Sequence, residues 1–432
     1  MSKNASASSS QGVSKTTVLL GSAILATITI VAVVAVQRKK TLKATAGSSN
    51  SSVNNTPATA VSKVPVLKFY LDYKTSPEKT NSGLCHIARV LCPEYFADQI
   101  DEQMKTEQIQ GGITNLLWKV TNDRGQSCLI RAYGENTEVL IDREAECGVF
   151  YELSKRKFGP NLWGRFTNGR VEGYFDAKPL DPSSKMGERS PVDFPVLIAR
   201  QLARMHDIDD MPVKRESQMW AILDKFYKLA KNINFNRSEM KNRQFIGLDI
   251  GRYEQELEWL QTVLPSPLND HGRQLTGVSD KVKAIAFRQV FSHNDLLSGN
   301  ILYLPNENRC QFIDFEYGAY NYAAFDIADH FCEYAGFEFD LQRWYPNEEL
   351  QKHFWRAYLE AEKFKLEPNE EEAVLNELVL WTNRFALLAH LMWFFWAIVQ
   401  GKHSVIDVDF LAYAGRRRDG YLLHKQQFFP GA

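Results

Sequence analysis

The sequence predicts an α+β chain of two lobes, a small β-rich lobe followed by a larger helical one, behind one apolar segment long enough to cross a membrane. Three observations predict it. Residues 111–177 alternate short β-prone runs with turn signals. From about residue 178, apolar residues recur at helical spacing. Val18 to Val36, "VLLGSAILATITIVAVVAV", carries no charge. The chain has 432 residues, 44% of them hydrophobic and 24% charged, with a net charge of -1. That length supports two lobes and a sizeable core. The charge balance excludes the strong basic excess that would mark a nucleic-acid partner.

The N-terminal region is distinct. No Asp or Glu precedes Asp72, and the apolar run counts 19 residues. As a helix it matches a hydrocarbon core of about 30 Å at roughly 1.5 Å per residue. Arg38, Lys39 and Lys40 follow it directly, where a cleaved signal peptide would have a polar stretch with a small-residue cleavage site. The segment is expected to be a retained single-pass anchor. More Lys and Arg follow the span than precede it, which places the larger part of the chain in the cytosol. Residues 1–17 form a polar N-terminus, 18–36 the anchor, and 37–62 a Ser/Thr/Asn/Ala-rich flexible linker that cannot build a core. Six scattered cysteines without a C-x-x-C pair suit buried thiols in a reducing compartment.

The β-rich lobe is expected over 63–177 and the helical lobe over 178–432. "GGITNLLWKV" and "SCLIRAYG", separated by "TNDRGQ", read as a hairpin entered by a glycine pair. "REAECGVFYELSKRKFG" has helical spacing and stops at Gly159-Pro160. "LWGRFTNGRVEGYFDA" reads as two strands about Asn168-Gly169. Helices follow at 216–232, 251–264, 347–363 and 369–401, and Ile198, Leu202 and Met205 mark another. Phe385 to Val399 is very apolar but short, and contains His390. It reads as a core helix rather than a second span.

The chemistry concentrates in "FSHNDLLSGNILYL", 291–304, and "QFIDFE" after it. Phosphoryl transfer needs positioning, metal ions for the phosphates, and a group that orients the attacking hydroxyl. Protein kinases use H-R-D-x-x-x-x-N and a second Asp at the end of a following strand. Here Asp295 and Asn300 keep that spacing after His293, and Asp314 closes the apolar run. Asp295 would face the hydroxyl, Asn300 and Asp314 would bind Mg²⁺ through hard oxygen donors, and His293 would hold the loop by hydrogen bonds rather than titrate. Upstream, Gly111, Gly112, Thr114 and Asn115 could bring backbone N–H groups to phosphate oxygens. Arg131 stands where a kinase carries its phosphate-binding lysine, and Glu146 on the next helix is placed to pair with it.

"FSHNDLLSGNILYL", "FIDFEYGAYNYAAFDIADHFCEYAG", "GGITNLLWKV", "LIRAYGENTEVLIDREAE" and "LIARQLARMH" together closely resemble the choline/ethanolamine kinase family, over roughly 65–428. The resemblance implies a two-lobed eukaryotic-protein-kinase-like fold and ATP- and Mg²⁺-dependent phosphorylation of an amino alcohol. "HNDLL", "GENTEVLIDRE", "HFCEYAG" and "DVDFLAYAGRR" look more like ethanolamine kinases, and Leu297 stands where choline kinases usually carry Gln. The implied product is phosphoethanolamine, the entry to phosphatidylethanolamine synthesis by the CDP-ethanolamine route. A choline kinase or an enzyme using both alcohols is the nearest alternative. An inactive kinase-fold scaffold at a membrane is the alternative of another class. The resemblance also allows a homodimer. It places Asp326, Glu333, Trp393, Trp396 and Tyr413 in the amino-alcohol pocket. A departure is Asp329, where the family more often has Asn; it adds a carboxylate near the metal region. A quaternary ammonium suits an aromatic cage, whereas a primary ammonium keeps three N–H donors and wants acceptors.

Overall fold

The computed structural model describes residues 63–109, 115–133, 143–180, 183–404 and 408–432. The expected anchor and linker, together with Gly111, Gly112 and Thr114, lie outside the described residues.

The N-terminal lobe is a six-stranded sheet in the order β1-β5-β6-β4-β3-β2. Its strands are β1 (Val66–Leu67), β2 (Lys105–Ile109), β3 (Asn115–Thr121), β4 (Ser127–Tyr133), β5 (Leu162–Phe166) and β6 (Gly169–Gly173). The β3–β4 hairpin forms at the expected turn, closed by Asn122 and by Gly125 at φ +80°, a value natural for glycine. Alternation along β4 and β6 gives the sheet two unlike faces. Trp118, Val120, Ile130, Ala132 and Val171 pack with Leu84, Ile87, Ala88 and Leu91 of helix α1 (Pro77–Leu91). The sequence reading had no helix there, although Ser76 caps it and Pro77 opens it. The other face turns Arg131, Arg170 and Glu172 toward α2 (Arg143–Lys155) and the second lobe. Arg131 and Arg170 are direct cross-strand partners, so they must share a face. Gly169 permits the approach of these strands, since a Cβ there would lie 2.2 Å from the Arg131 carbonyl oxygen.

The second lobe is helical. Its main helices are α3 (Phe194–His206), α4 (Met219–Lys231), α5 (Tyr253–Val263), α6 (Asp280–Ala286), α7 (Ala323–Glu333), α8 (Glu348–Ala361), α9 (Glu371–His403) and α10 (Phe410–Phe428), with further short helical segments between them. Two small ribbons lie among them: β7 (Gln289–Ser292) with β10 (Ala319–Tyr322), and β8 (Ile301–Leu304) with β9 (Arg309–Phe312). The core centres on α9, where Phe385, Leu388, Leu391 and Phe394 are completely buried. Long and apolar enough to cross a membrane, α9 has 89% of its most apolar stretch packed inside the protein and serves as the core helix. The six cysteines are all free and buried.

Candidate active site

The loop between β7 and β8 carries His293, Asn294, Asp295 and Asn300. It is anchored from beneath by Asp326 in the first turn of α7. One Asp326 oxygen accepts from the His293 backbone N–H at 2.9 Å and from His206 Nε2, also 2.9 Å away; the other accepts from the Asn294 N–H at 2.7 Å. Burial pushes this carboxyl up, but the His206 hydrogen bond, the electrostatic pull of the neighbouring imidazoles and the Asn294 N–H together hold it below the usual range. Both oxygens are thus committed and the residue is fully buried. This corrects the expectation that Asp326 touches the substrate: it is a positioning residue for the loop.

Asn294 adopts φ +61°, a strained region that Asn tolerates better than most residues. Its side chain donates to the Tyr317 carbonyl at 2.9 Å and accepts from Asn321 at 3.0 Å. His293 is held within the loop. Its Nε2 lies 3.1 Å from the Ile313 carbonyl, its ring packs against Phe312 and Phe315, and burial pushes its pKa down. The turn so built presents Asp295. Burial raises its carboxyl well above the usual carboxylate range, and nearby Glu333, Asp329, Asp314 and Glu316 raise it further.

Asn300 Nδ2 donates to the Asp295 carbonyl at 2.9 Å, which leaves its Oδ1 buried and without a partner. Asp314 follows β9 at φ +63°; burial pushes its carboxyl up to about 6, against the pull of Arg131 and Arg170. An orphaned amide oxygen beside crowded carboxylates is a donor set for a hard divalent cation such as Mg²⁺. The residues present therefore fit the metal that this chemistry needs.

Across the cleft, the Arg131–Glu146 pair expected from the sequence is replaced by a larger cluster. Arg131 Nε bonds Glu172 at 2.9 Å; Arg170 bonds Glu172 and Glu146, both at 2.6 Å. Arg131, Arg170 and Glu172 lie on one face because of the β4–β6 register, so Glu172 meets Arg131 before the helix does. Period-two alternation of Arg170 and Glu172 on β6 was the signal for both residues. Asn115 heads β3, its backbone paired with Tyr133.

Beyond Asp295, aromatic side chains and a charged cluster lie together. Trp393 and Trp396 meet edge to face at 5.3 Å, and Tyr317 packs on Trp393 at 5.4 Å. Glu333 pairs with the buried Arg417, whose Nε donates to the Tyr413 hydroxyl at 2.8 Å. Asp329 accepts from Trp393 Nε1 at 2.8 Å. It is therefore tied to this aromatic cluster, and its charge also reaches Asp295 as the sequence suggests. Asp295, Glu333, Trp393, Trp396 and Tyr413 are thus brought to one place. Arg417, from the last helix, was missed because nothing in the sequence signals its partner on α7.

A β-sheet lobe over a helical lobe, with an Asp–Asn loop and a second Asp at their junction, defines a phosphotransferase of the two-lobed kinase architecture. Residues 106–422 match the choline/ethanolamine kinase family, and the chain belongs to that family. It is 34% identical over 362 residues to a probable ethanolamine kinase A of Dictyostelium discoideum, covering 82% of this chain and 95% of that protein. A probable ethanolamine kinase of Arabidopsis thaliana is 35% identical over 347 residues, covering 78% and 85%. Among solved structures, the chain superposes on a Plasmodium vivax ethanolamine kinase with TM-score 0.64 and 26% identity, covering 83% of this chain and 93% of that one. A choline kinase of Cryptosporidium parvum gives TM-score 0.65 and 25% identity, covering 80% and 95%.

Proposed function

We propose that this protein transfers the γ-phosphoryl group of ATP to the hydroxyl of ethanolamine, giving phosphoethanolamine and ADP, the first step of phosphatidylethanolamine synthesis by the CDP-ethanolamine route. The observation that carries the reading is the junction of two half-sites: Asp295 faces a metal-ready pair, Asn300 and Asp314, on one side and an aromatic, acidic pocket on the other. The substrate oxygen attacks the terminal phosphorus, the bridging oxygen leaves on ADP, and the hydroxyl proton passes to Asp295. Asn300 Oδ1 and Asp314 would hold Mg²⁺, which would neutralise charge on the phosphates. Positive charge arriving on either side of Asp295 favours its ionised form and readies it as a base. Arg131, held by Glu172, contacts phosphate. The ammonium of the substrate lies against Trp393 and Trp396, with Glu333 supplying complementary charge.

Choline is the second reading, because the same aromatic wall suits a quaternary ammonium. The test is formation of phosphoethanolamine from ATP, Mg²⁺ and ethanolamine by the full-length protein, with Asp295→Ala as control. No product from the wild type, with ATP still bound, would leave an inactive scaffold instead. Residues 18–36 are proposed to anchor the enzyme in a membrane with the catalytic lobes in the cytosol, on the basis of the uncharged run alone. Recovery of the full-length protein in the soluble fraction would end that part of the reading.

A further inference from the structure

The pocket holds one carboxylate more than the reading above uses. Asp329 lies on α7 one turn before Glu333, so the two side chains share a helix face. It is completely buried. Its Oδ1 accepts from the Trp393 indole N–H, while its Oδ2, equally buried, has no hydrogen-bond partner. Glu333 is matched by the guanidinium of Arg417, but Asp329 is hydrogen-bonded only to a neutral indole. With all three groups ionised, the cluster keeps one net negative charge. That charge lies within electrostatic reach of Asp295, where the substrate hydroxyl must come. Burial and then Glu333 raise the Asp329 carboxyl, and an arriving ammonium would pull it back toward its ionised, accepting form. A buried acceptor with no donor is costly and is normally satisfied by something. A primary ammonium brings three N–H donors and one positive charge; a trimethylated one brings the charge without a donor.

We propose that Asp329 is a specificity-determining residue that selects a primary over a quaternary ammonium: Oδ2 accepts an N–H of the substrate, while Oδ1 holds Trp393 as the aromatic wall. The inference rests on the pocket assignment made under the proposed function. The two oxygens do separable work. The wall serves any amino alcohol, and the second acceptor serves only one that can donate.

The experiment compares kcat/KM for ethanolamine and for choline in the full-length wild type, Asp329→Asn and Asp329→Ala. Asparagine keeps a carbonyl oxygen for Trp393 and removes the charge. The Asn variant is expected to lose about tenfold or more in kcat/KM for ethanolamine, mostly through KM, and to lose several-fold less for choline, which forfeits the charge but no hydrogen bond, so that the ethanolamine-to-choline ratio falls. The Ala variant is expected to add a loss common to both substrates, because the indole is released. Thermal unfolding of both variants separates misfolding from altered selectivity. An ethanolamine-to-choline ratio in Asp329→Asn equal to that of the wild type, whether both rates fall or neither does, overturns the inference. If the wild type itself prefers choline, the functional reading fails first, and the inference falls with it.

Discussion

Replacing Asp326 by Asn tests the distinction between holding the loop and binding the substrate. The carboxylate accepts the His293 and Asn294 backbone N–H groups and bonds His206, at 2.9, 2.7 and 2.9 Å. An asparagine side chain offers one acceptor oxygen and one NH₂. In either orientation, one side of this arrangement meets a donor where it had an acceptor. A buried donor left unsatisfied costs about 1–3 kcal/mol. If that cost is paid in the geometry of Asp295, it corresponds to about 5- to 150-fold in rate. The expected result is a fall in kcat of that size, with KM for ethanolamine within about threefold of wild type and a stability loss of ~2 kcal/mol in denaturant melts. Initial-rate kinetics over a range of ethanolamine concentrations read both constants. A raised KM with unchanged kcat would refute the reasoning, since it would place Asp326 against the substrate.

Glu172→Gln should be among the most destabilising single changes in the first lobe, because it leaves the Arg131 and Arg170 guanidiniums buried with one carboxylate fewer. Removing one partner of such a group costs about 3–5 kcal/mol, read by thermal unfolding, and KM for ATP should rise as Arg131 loses its support. Gly169→Ala forces a Cβ to within 2.2 Å of both the Arg131 carbonyl oxygen and the Phe166 ring. A stability loss at or above the usual ~1–3 kcal/mol for overpacking is expected, and a normal melting temperature would contradict the β4–β6 register. His330 and His424 are both pushed down by burial to about 4, from an ordinary 6.5. The unfolded chain then binds more protons between those values, so their contribution is complete above about pH 6.5 and is lost as pH falls toward 4. Melting temperatures measured across that window should drop with acidification, and should drop less in a variant with a neutral, isosteric replacement for His330.

The main elements of the fold were legible because local patterns and tertiary structure agree in them. The β3–β4 hairpin, the helix ending before Gly159-Pro160 and the long α9 all follow from turn chemistry and apolar spacing. The grouping of Asp295, Asn300 and Asp314 was legible for the same reason, since one loop and the strand pair following it carry all three. What escaped depends on contacts between distant segments. Glu172 takes Arg131 because of strand register, which no single strand reveals. Asp326 serves the loop rather than the pocket because α7 starts beneath His293. Arg417 reaches Glu333 only because α10 returns across the pocket. The β7–β10 ribbon, which joins segments on either side of the loop, was likewise invisible to local pattern.

The central claim is the identity of the acceptor, and a direct competition tests it. The full-length enzyme would be given equal ethanolamine and choline with limiting ATP and Mg²⁺, and the two phosphorylated products quantified at early times. The account predicts at least about tenfold more phosphoethanolamine, a difference of about 1.4 kcal/mol in transition-state binding. Phosphocholine in equal or greater amount would contradict it, while leaving the fold and the roles of Asp295, Asn300 and Asp314 in place.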